Sequence, residues 1–557
     1  MAARLMSTRV ARRIAGVALL LAIGGLPSRA CAQGSSADIL SDAAADDLVQ
    51  LVDAGLVPLT VVGQAPYARM TLAKAALSAD SMLTRESALG GARRRALRDA
   101  CDRLLRRFAE EVGALRGNDT AATALHLFGE TLLDGGYTDA VPRAIRENGV
   151  GSVEADVNPL ARQLPGRRIA TGGHLAIESE SWVRIGSRLT LSARPRVSAH
   201  DASRAAGARS AELLTASARF ATSRAAVTVG REYTDWSIAP GGGLFFSAES
   251  PALDLVRVST EAPFRFPSVL GRLGPTSATV QVASLGASVS HSHSLLVAYK
   301  VSVHPASTLQ VGGSFANHFG GEGAVNPRIV RRLVDLLPFL DLLQHHADST
   351  DFDSDKLLGL DARLRLPALG GTTLYGEMAL EDFDVHRMRS ILTEDAAYIL
   401  GARIPAFLRP SLTASLSYHV TGIRFYEHHA LLNGIAASRV VLGDPLGRDA
   451  GGFRGGVEWQ PSTALSVYAD AAYESRGNST YIGEYTSPGA QDLVFRVVTA
   501  QPPEIRRRVS GRLVRHDVLA GGTLSVRAGA ERITGPALPG STRATHGVLD
   551  VTLTLLR

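Results

Sequence analysis

The sequence predicts a mainly β protein, a large transmembrane antiparallel β-barrel of about 16–18 strands preceded by a small α-helical periplasmic domain. Three observations carry this expectation. The chain opens on an export signal, most of its length alternates apolar and polar residues with a period of two, and no stretch reaches the roughly 18 consecutive apolar residues of a membrane-spanning helix. The expected division is a signal peptide at 1–32, a helical periplasmic domain at 33–117, a transition at 118–165 and the barrel at 166–557.

The export signal is read from Arg4, Arg9, Arg12 and Arg13, which precede an uncharged apolar run from Ile14 to Leu26 and then Ala30-Cys31-Ala32. This is the charged, apolar and small-residue order of a secretory signal, with cleavage expected after Ala32. Cys31 as a lipoprotein cysteine is disfavoured by Ser28 and Arg29, which stand where small or aliphatic residues are wanted. The Arg12-Arg13 pair suits twin-arginine export, but a barrel crosses the inner membrane unfolded, which favours the ordinary secretion route. The signal holds five arginines (4, 9, 12, 13 and 29) and no acid, so its removal takes the formal charge from +6 to +1 (6 − 5). The basic balance therefore gives no ground for a nucleic-acid partner. Only Cys101 then remains, which excludes an intramolecular disulfide and a cysteine metal cluster; its place among apolar positions makes it a small core residue.

Helical spacing dominates up to about Gly117. Asp46-Asp47 is expected to cap a segment with Leu48, Val49, Leu51, Val52 and Leu56 on one side, ending near Gly55 and Pro58. A second helix places Leu97, Cys101, Leu104, Phe108, Val112 and Leu115 at steps of three and four. Its other face carries Arg93, Arg94, Arg95, Arg98, Arg103, Arg106 and Arg107, read as solvated and paired with Asp99, Asp102, Glu110 and Glu111, against the alternative of contact with an anionic surface. Gly135-Gly136 and Pro142 break the segment that follows.

Beyond it the period becomes two. Leu189, Leu191 and Ala193 alternate with polar residues, as do Leu309 to Phe315, Leu360 to Leu366, Leu374 to Leu380, Leu412 to Val420, Leu465 to Tyr473, Leu524 to Ala530 and Leu549 to Leu555. A soluble β chain would break into sandwiches of about 100 residues. One closed barrel suits the unbroken repetition better, because closure pairs every backbone group in lipid. Arg188, Thr190, Ser192 and Arg194, then Asp361, Arg363 and Arg365, and finally Thr552 and Thr554 occupy the opposite faces, which predicts a wet lumen. Trp182, Trp236, Tyr299, Tyr375, Tyr418, Trp459, Tyr468 and Tyr473 are candidates for interfacial girdles. The insertion Ile329 to Asp355, with Leu333, Leu336, Leu337, Leu340, Leu342 and Leu343, reads as an amphipathic helix able to plug the lumen.

Chemical motifs are sparse. Asp348, Asp351, Asp353 and Asp355 suggest a cation loop, but Lys356 and Ala362 stand where an EF-hand needs Gly and Glu, so a solvated acidic loop competes. Among His291/His293, His345/His346 and His428/His429, only the first pair has the spacing of one strand face, and further ligands are missing. Gly241-Gly242-Gly243 lacks the ending of a phosphate loop and reads as a tight turn. No catalytic, cofactor or metal residue is assigned, and no cofactor is expected.

The chain resembles the capsule assembly Wzi family of outer-membrane proteins. The likeness rests on "LVDAGLV" and "PYARMTLAKAAL" between Leu48 and Leu77, and above all on "VGREYTDWSIAPGGGLFFSAESPALDLVRV" at Val229 to Val258. In order follow "RLGPTSATVQVA" at 272–283, "AYKVSVHPASTLQVGGS" at 298–314, "FGGEG" at 319–323, "KLLGLDARLRLP" at 356–367, "LYGEMALED" at 374–382 and "VVLGDPLGRDAGGFRGGVEW" at 440–459. The resemblance implies an 18-stranded barrel with a periplasmic helical bundle that holds or assembles capsular polysaccharide. The Leu-Leu-Arg ending departs from the terminal aromatic common among barrels.

The expected function is surface attachment or assembly of polysaccharide by non-catalytic glycan binding, with capsular or other surface polysaccharide, outer-membrane lipid and polysaccharide export machinery as partners. The alternatives are a porin or solute channel and a barrel-embedded lipid or glycan hydrolase, the last requiring a Ser–His pair on the membrane-facing wall. Candidate glycan loops are Ile238–Ser250, Phe319–Asp355, Tyr426–Gly456 and Arg476–Pro488.

Overall fold

The computed structural model describes residues 35–38, 40, 42–85, 91–117, 123–140, 143–145, 155–158, 160, 164–165, 167, 169, 171–201, 209–238, 242–287, 291–324, 354–381, 392–426, 434–438, 440–477, 479–485, 493–499, 502–519, 521–535 and 543–556. The expected signal peptide, the plug helix at 329–353, Asp348, Asp351, Asp353 and the His345/His346 and His428/His429 pairs lie outside them.

Eighteen antiparallel strands close into one barrel. In chain order they are β1 (Thr123–His126 continued by Glu130–Thr138), β2 (Gly172–Ser179 continued by Ser181–Ile185), β3 (Leu189–His200), β4 (Arg209–Ala221), β5 (Ala225–Glu232) and β6 (Leu253–Thr260). Then come β7 (Thr276–Ser284), β8 (Leu295–Ala306), β9 (Leu309–Phe319), β10 (Ser354–Leu366), β11 (Thr372–Glu381) and β12 (Ala396–Ile404). The last six are β13 (Leu412–Thr421), β14 (Ala450–Ser462), β15 (Leu465–Arg476), β16 (Glu504–Val518), β17 (Gly522–Thr534) and β18 (Arg543–Leu556). β18 pairs with β1, Leu553 opposite Leu133 and Val551 opposite Gly135, so no edge remains in the wall. The barrel thus begins at Thr123 and not near Gly166. Gly135-Gly136, read from sequence as breakers, lie inside β1, where a Cβ on Gly136 would collide with the Asp550 side chain and the Leu549 carbonyl. Close approach between strands, and not a turn, explains Gly136, and Gly135 lies beside it within the strand.

The wall is inverted relative to a soluble protein. Leu360 is 56% exposed and Leu364 36%, while Asp361 and Arg363 between them are buried. Leu416 and Leu400 repeat the pattern on β13 and β12. Apolar positions outside and charged positions inside are what a barrel in hydrocarbon requires. No helix among the described residues is long and apolar enough to cross a membrane. Of the proposed girdle aromatics, Tyr418, Trp459 and Tyr473 are exposed and Tyr299 is half-buried, whereas Trp182, Trp236, Tyr375 and Tyr468 are buried. Arg188 lies in the turn after β2 and not within a strand.

Connections alternate in length. One end has the tight turns 186–188, 222–224, 307–308, 367–371, 463–464 and 519–521 together with the longer connection 261–275, and the other has 139–171, 233–252, 320–353, 422–449 and 477–503. The helical unit sits at the turn end. It comprises α1 (Asp42–Asp53), α2 (Arg69–Arg85), α3 (Gly91–Arg107) and α4 (Ala109–Leu115), packed around Leu51, Val52, Ala73, Leu83, Cys101 and Phe108. α1 begins at Asp42, so Asp46-Asp47 are not its cap. Gly55 ends it with a positive φ of 78°, and Leu56 N–H donates back to Leu51 O. The chain turns at Phe108, which splits the expected second helix into α3 and α4 and leaves Leu115 exposed.

The arginine face of α3 is mostly used for docking. Arg103 pairs with Asp47, Arg107 with Asp38 and Glu130, and Arg98 with Asp80; Arg93 donates to Gly370 O and Arg106 pairs with Asp517 in the barrel turns. These partners differ from the four acids expected from sequence, of which Glu111 accepts from Arg69 and Glu110 meets His126.

Candidate functional site

The loop end of the lumen is filled by two connections that fold inward. In the first, 233–252, Trp236 packs edge-on against Phe246 at 4.8 Å, and Leu244, Phe246 and Ile238 are buried. Wall side chains hold its backbone: Glu377 of β11 accepts from Ile238 N–H (3.0 Å) and Leu244 N–H (2.9 Å), and Lys300 of β8 donates to Trp236 O (2.8 Å) while pairing with Asp361 at 3.0 Å. Gly243 approaches so closely that a Cβ would lie 2.6 Å from Ser237 Oγ, so a glycine is needed at that position. The second connection, 422–449, lies on the first. Ser247 N–H donates to Leu442 O at 2.7 Å, and the Tyr426 hydroxyl donates to Leu244 O at 2.6 Å.

A polar chain latches the second connection to the wall. His419 donates Nδ1–H to the Asp444 carboxylate, which leaves Nε2 to accept the Ser417 hydroxyl at 2.9 Å. Asp444 also accepts from Arg454 (3.1 Å) and from Leu446 N–H (2.9 Å), and Arg454 is shared with Glu474. Burial opposes the charge on Asp444, but Arg454 and His419 outweigh it and hold the carboxyl below its usual range. Ser417, His419 and Asp444 have the order of a nucleophile relay, yet they face the lumen and not the membrane as the hydrolase alternative requires. Asp444 is neutralised by Arg454, the Ser417 hydroxyl also meets Tyr375, and the backbone at 417–419 is engaged in ladders on both sides. No backbone N–H is spare there to hold an oxyanion. The array acts as a latch.

The turn end is closed from below. After α1 the chain enters the lumen: Gln64 bonds Ser302 (2.9 Å) and Thr279 (2.9 Å), and Ala65 exchanges backbone hydrogen bonds with Asp235 at 2.8 and 3.1 Å. The helical unit and the loop-end plug therefore touch inside the barrel. Asp53, at the end of α1, accepts from Arg363 (3.2 Å), Arg403 (2.6 Å) and Thr373 (2.9 Å) of the wall. Between the plugs a cavity of about 610 Å³ remains, bordered by Leu48, Val49, Tyr375, Arg403, Arg454 and Arg508.

These placements correct the loop expectations. Of Ile238–Ser250 the described residues 238 and 242–250 are mostly buried in the mouth, and of Tyr426–Gly456 the described residues 426, 434–438 and 440–449 belong to the plug and 450–456 to strand β14. Phe319 and Ser354-Asp355 end strands, and 325–353 lies outside the described residues. Arg476–Pro488 contains Ser479–Tyr485, which pairs with Leu493–Thr499 as a two-stranded ribbon separate from the wall. His291 and His293 occupy a turn and not a strand face; His291 Nδ1 lies 3.1 Å from Glu322 O. Among the described residues no group of three or more His, Cys, Asp or Glu side chains is arranged to hold a metal ion. Sequence reasoning noted Asp361 and Arg363 as lumen charges but missed Asp53, Ser417, His419, Asp444 and Arg454, whose association depends on register between distant segments.

A family model described as capsule assembly protein Wzi matches residues 144–545. Among solved structures the chain is similar to Wzi, an outer membrane protein involved in group 1 capsule assembly in Escherichia coli and described as a carbohydrate-binding β-barrel, with a TM-score of 0.62 and 14% identity over 93% of this chain and 99% of that one. OccD3 (OpdP) of Pseudomonas aeruginosa gives a TM-score of 0.43 at 11% identity, covering 78% of this chain and 92% of that one, and OprD of the same organism 0.43 at 9%, covering 78% and 96%. No curated protein matches in sequence.

Proposed function

The chain belongs to the capsule assembly protein Wzi family, and from that premise we propose that it holds surface polysaccharide at the loop end of an occluded outer-membrane barrel, by binding and without catalysis. The observation that carries this reading is the double plug. A lumen occupied at one end by the described residues of 233–252 and 422–449 and at the other by 59–65 and the helical unit is built to stay closed, which sets it apart from the channel alternative. The outer, loop-end surface, including the ribbon Ser479–Tyr485 with Leu493–Thr499, then meets the glycan. In this reading the signal at 1–32 is removed after Ala32, the helical unit lies in the periplasm where polysaccharide export machinery works, and outer-membrane lipid covers the wall.

The test is retention of fluorescent capsular polysaccharide by the purified, detergent-solubilised full chain. The chain is expected to retain it saturably, and a variant with residues 479–499 replaced by a short turn is expected to lose most retention while keeping the heat-modifiable mobility of a folded barrel. Equal retention by an unrelated porin would remove the proposal.

A further inference from the structure

Of the connections at the turn end, 261–275 between β6 and β7 is unlike the tight turns around it. Its sequence, Glu261-Ala-Pro-Phe-Arg-Phe-Pro-Ser-Val-Leu-Gly-Arg-Leu-Gly-Pro275, presents Phe264, Val269, Leu270 and Leu273 to the outside, with Val269 72% exposed. A chain that left such residues in water would lose the free energy of burying them, so their exposure calls for an apolar covering. The segment is also rigid. Phe264 and Thr276 exchange two backbone hydrogen bonds (2.9 and 2.7 Å), Ser268–Leu273 forms a 3-10 helix, and three prolines fix φ along it. Gly274 has a φ of 78°, and a Cβ there would collide with His304 O, so the segment is held against β8. Its side chains are therefore preorganised, and little ordering cost remains for a ligand to meet.

Arg265 and Arg272 stand exposed among these apolar residues. Neither has a carboxylate partner among the described residues; the one acid in the segment, Glu261, is paired with Arg219. The adjoining strands also carry apolar residues outward, Val280 of β7 and Val301 of β8 being 48% and 38% exposed. Two guanidiniums at the edge of a hydrocarbon-facing surface match the phosphate of an anionic lipid, with apolar side chains beneath it for the acyl chains.

We propose that residues 261–275 form a binding site for an anionic phospholipid of the leaflet at the turn end, Arg265 and Arg272 holding the headgroup phosphate and Phe264, Val269 and Leu270 seated among the acyl chains. This rests on the proposed membrane orientation but not on glycan binding. An arginine near an anionic surface is worth about a fivefold preference, so the pair is expected to favour the anionic lipid over a zwitterionic one by roughly twentyfold at low salt. The experiment equilibrates the purified full chain in detergent with equal amounts of phosphatidylglycerol and phosphatidylethanolamine and measures the retained lipids by native mass spectrometry. Wild type is expected to retain phosphatidylglycerol in large excess, R265A/R272A to retain the two nearly equally, and R265K/R272K to keep most of the preference. V269S/L270S is expected to reduce retention of both lipids. A wild-type ratio near one, or a double arginine variant with the wild-type ratio, overturns the proposal. The polysaccharide retention assay on the same R265A/R272A protein keeps the two readings apart, because it is expected to be unchanged.

Discussion

Replacing Asp53 with Ala is expected to detach the helical unit from the barrel. The carboxylate is 2% exposed and accepts from Arg363, Arg403 and Thr373 on β10, β11 and β12. Removing one partner of a buried ion pair costs about 3–5 kcal/mol, because the other charge is left without compensation. Arg403 retains Glu458 at 2.8 Å, whereas Arg363 loses its ion pair with Asp53, so the lower part of the range, about 3 kcal/mol, applies. That corresponds to roughly a hundredfold rise in the undocked population. The assay is limited proteolysis of the folded, detergent-solubilised chain, following cleavage between α1 and α2. In the regime where cleavage follows the open population, Asp53→Ala is expected to be cut about a hundredfold faster while the barrel resists. Asp517→Ala is the control: its pair with Arg106 is half exposed on both sides, and such pairs contribute little. Cleavage of Asp53→Ala within twofold of wild type, or equal effects of the two substitutions, would refute the reasoning.

Other perturbations test separate parts of the structure. Asp444→Ala leaves His419 and Arg454 without their shared acceptor, and is expected to turn an electrically quiet barrel into one with intermittent openings in planar bilayers; a silent variant counts against the latch. Leu360→Arg on the lipid face is expected to destabilise the inserted barrel by about 2–4 kcal/mol in equilibrium folding into lipid vesicles, whereas a small change would mean that this face does not meet hydrocarbon. Burial pushes the Glu249 carboxyl up to about 8, against the pull of Arg454, so the folded state holds a proton that the unfolded chain releases near the ordinary carboxylate value. Its contribution is present at low pH and is lost as pH rises toward 8, so protease resistance of the loop-end plug is expected to fall over that range, and Glu249→Gln to flatten the fall. An identical pH profile in that variant would contradict the assignment.

The sequence made the wall legible because a two-residue period needs only neighbouring positions to be compared, and Leu360, Asp361, Leu364 and Arg363 sort by that rule alone. β1 was hidden because Gly135 and Gly136 read as breakers, when closeness to Leu549 and Asp550 of β18 is what demands Gly136; that contact joins the two ends of the wall. The plugs were equally hidden. A glycine- and aromatic-rich stretch such as 238–250 has the composition of a surface loop, and only the burial of Phe246 and Leu244 against residues far along the chain reveals an inward fold. The arginines of α3 show the same limit: charge periodicity gives a face, but the partners Asp38, Asp47 and Glu130 come from other segments. The membrane-facing chemistry was local and therefore readable, whereas the latch Ser417–His419–Asp444 required tertiary register.

The most direct test of glycan holding is made on cells. Deleting the gene and staining cell-bound against released polysaccharide is expected to move most of the polysaccharide into the medium, with the wild-type gene restoring attachment. Unchanged cell-bound polysaccharide in the deletion strain would contradict the account.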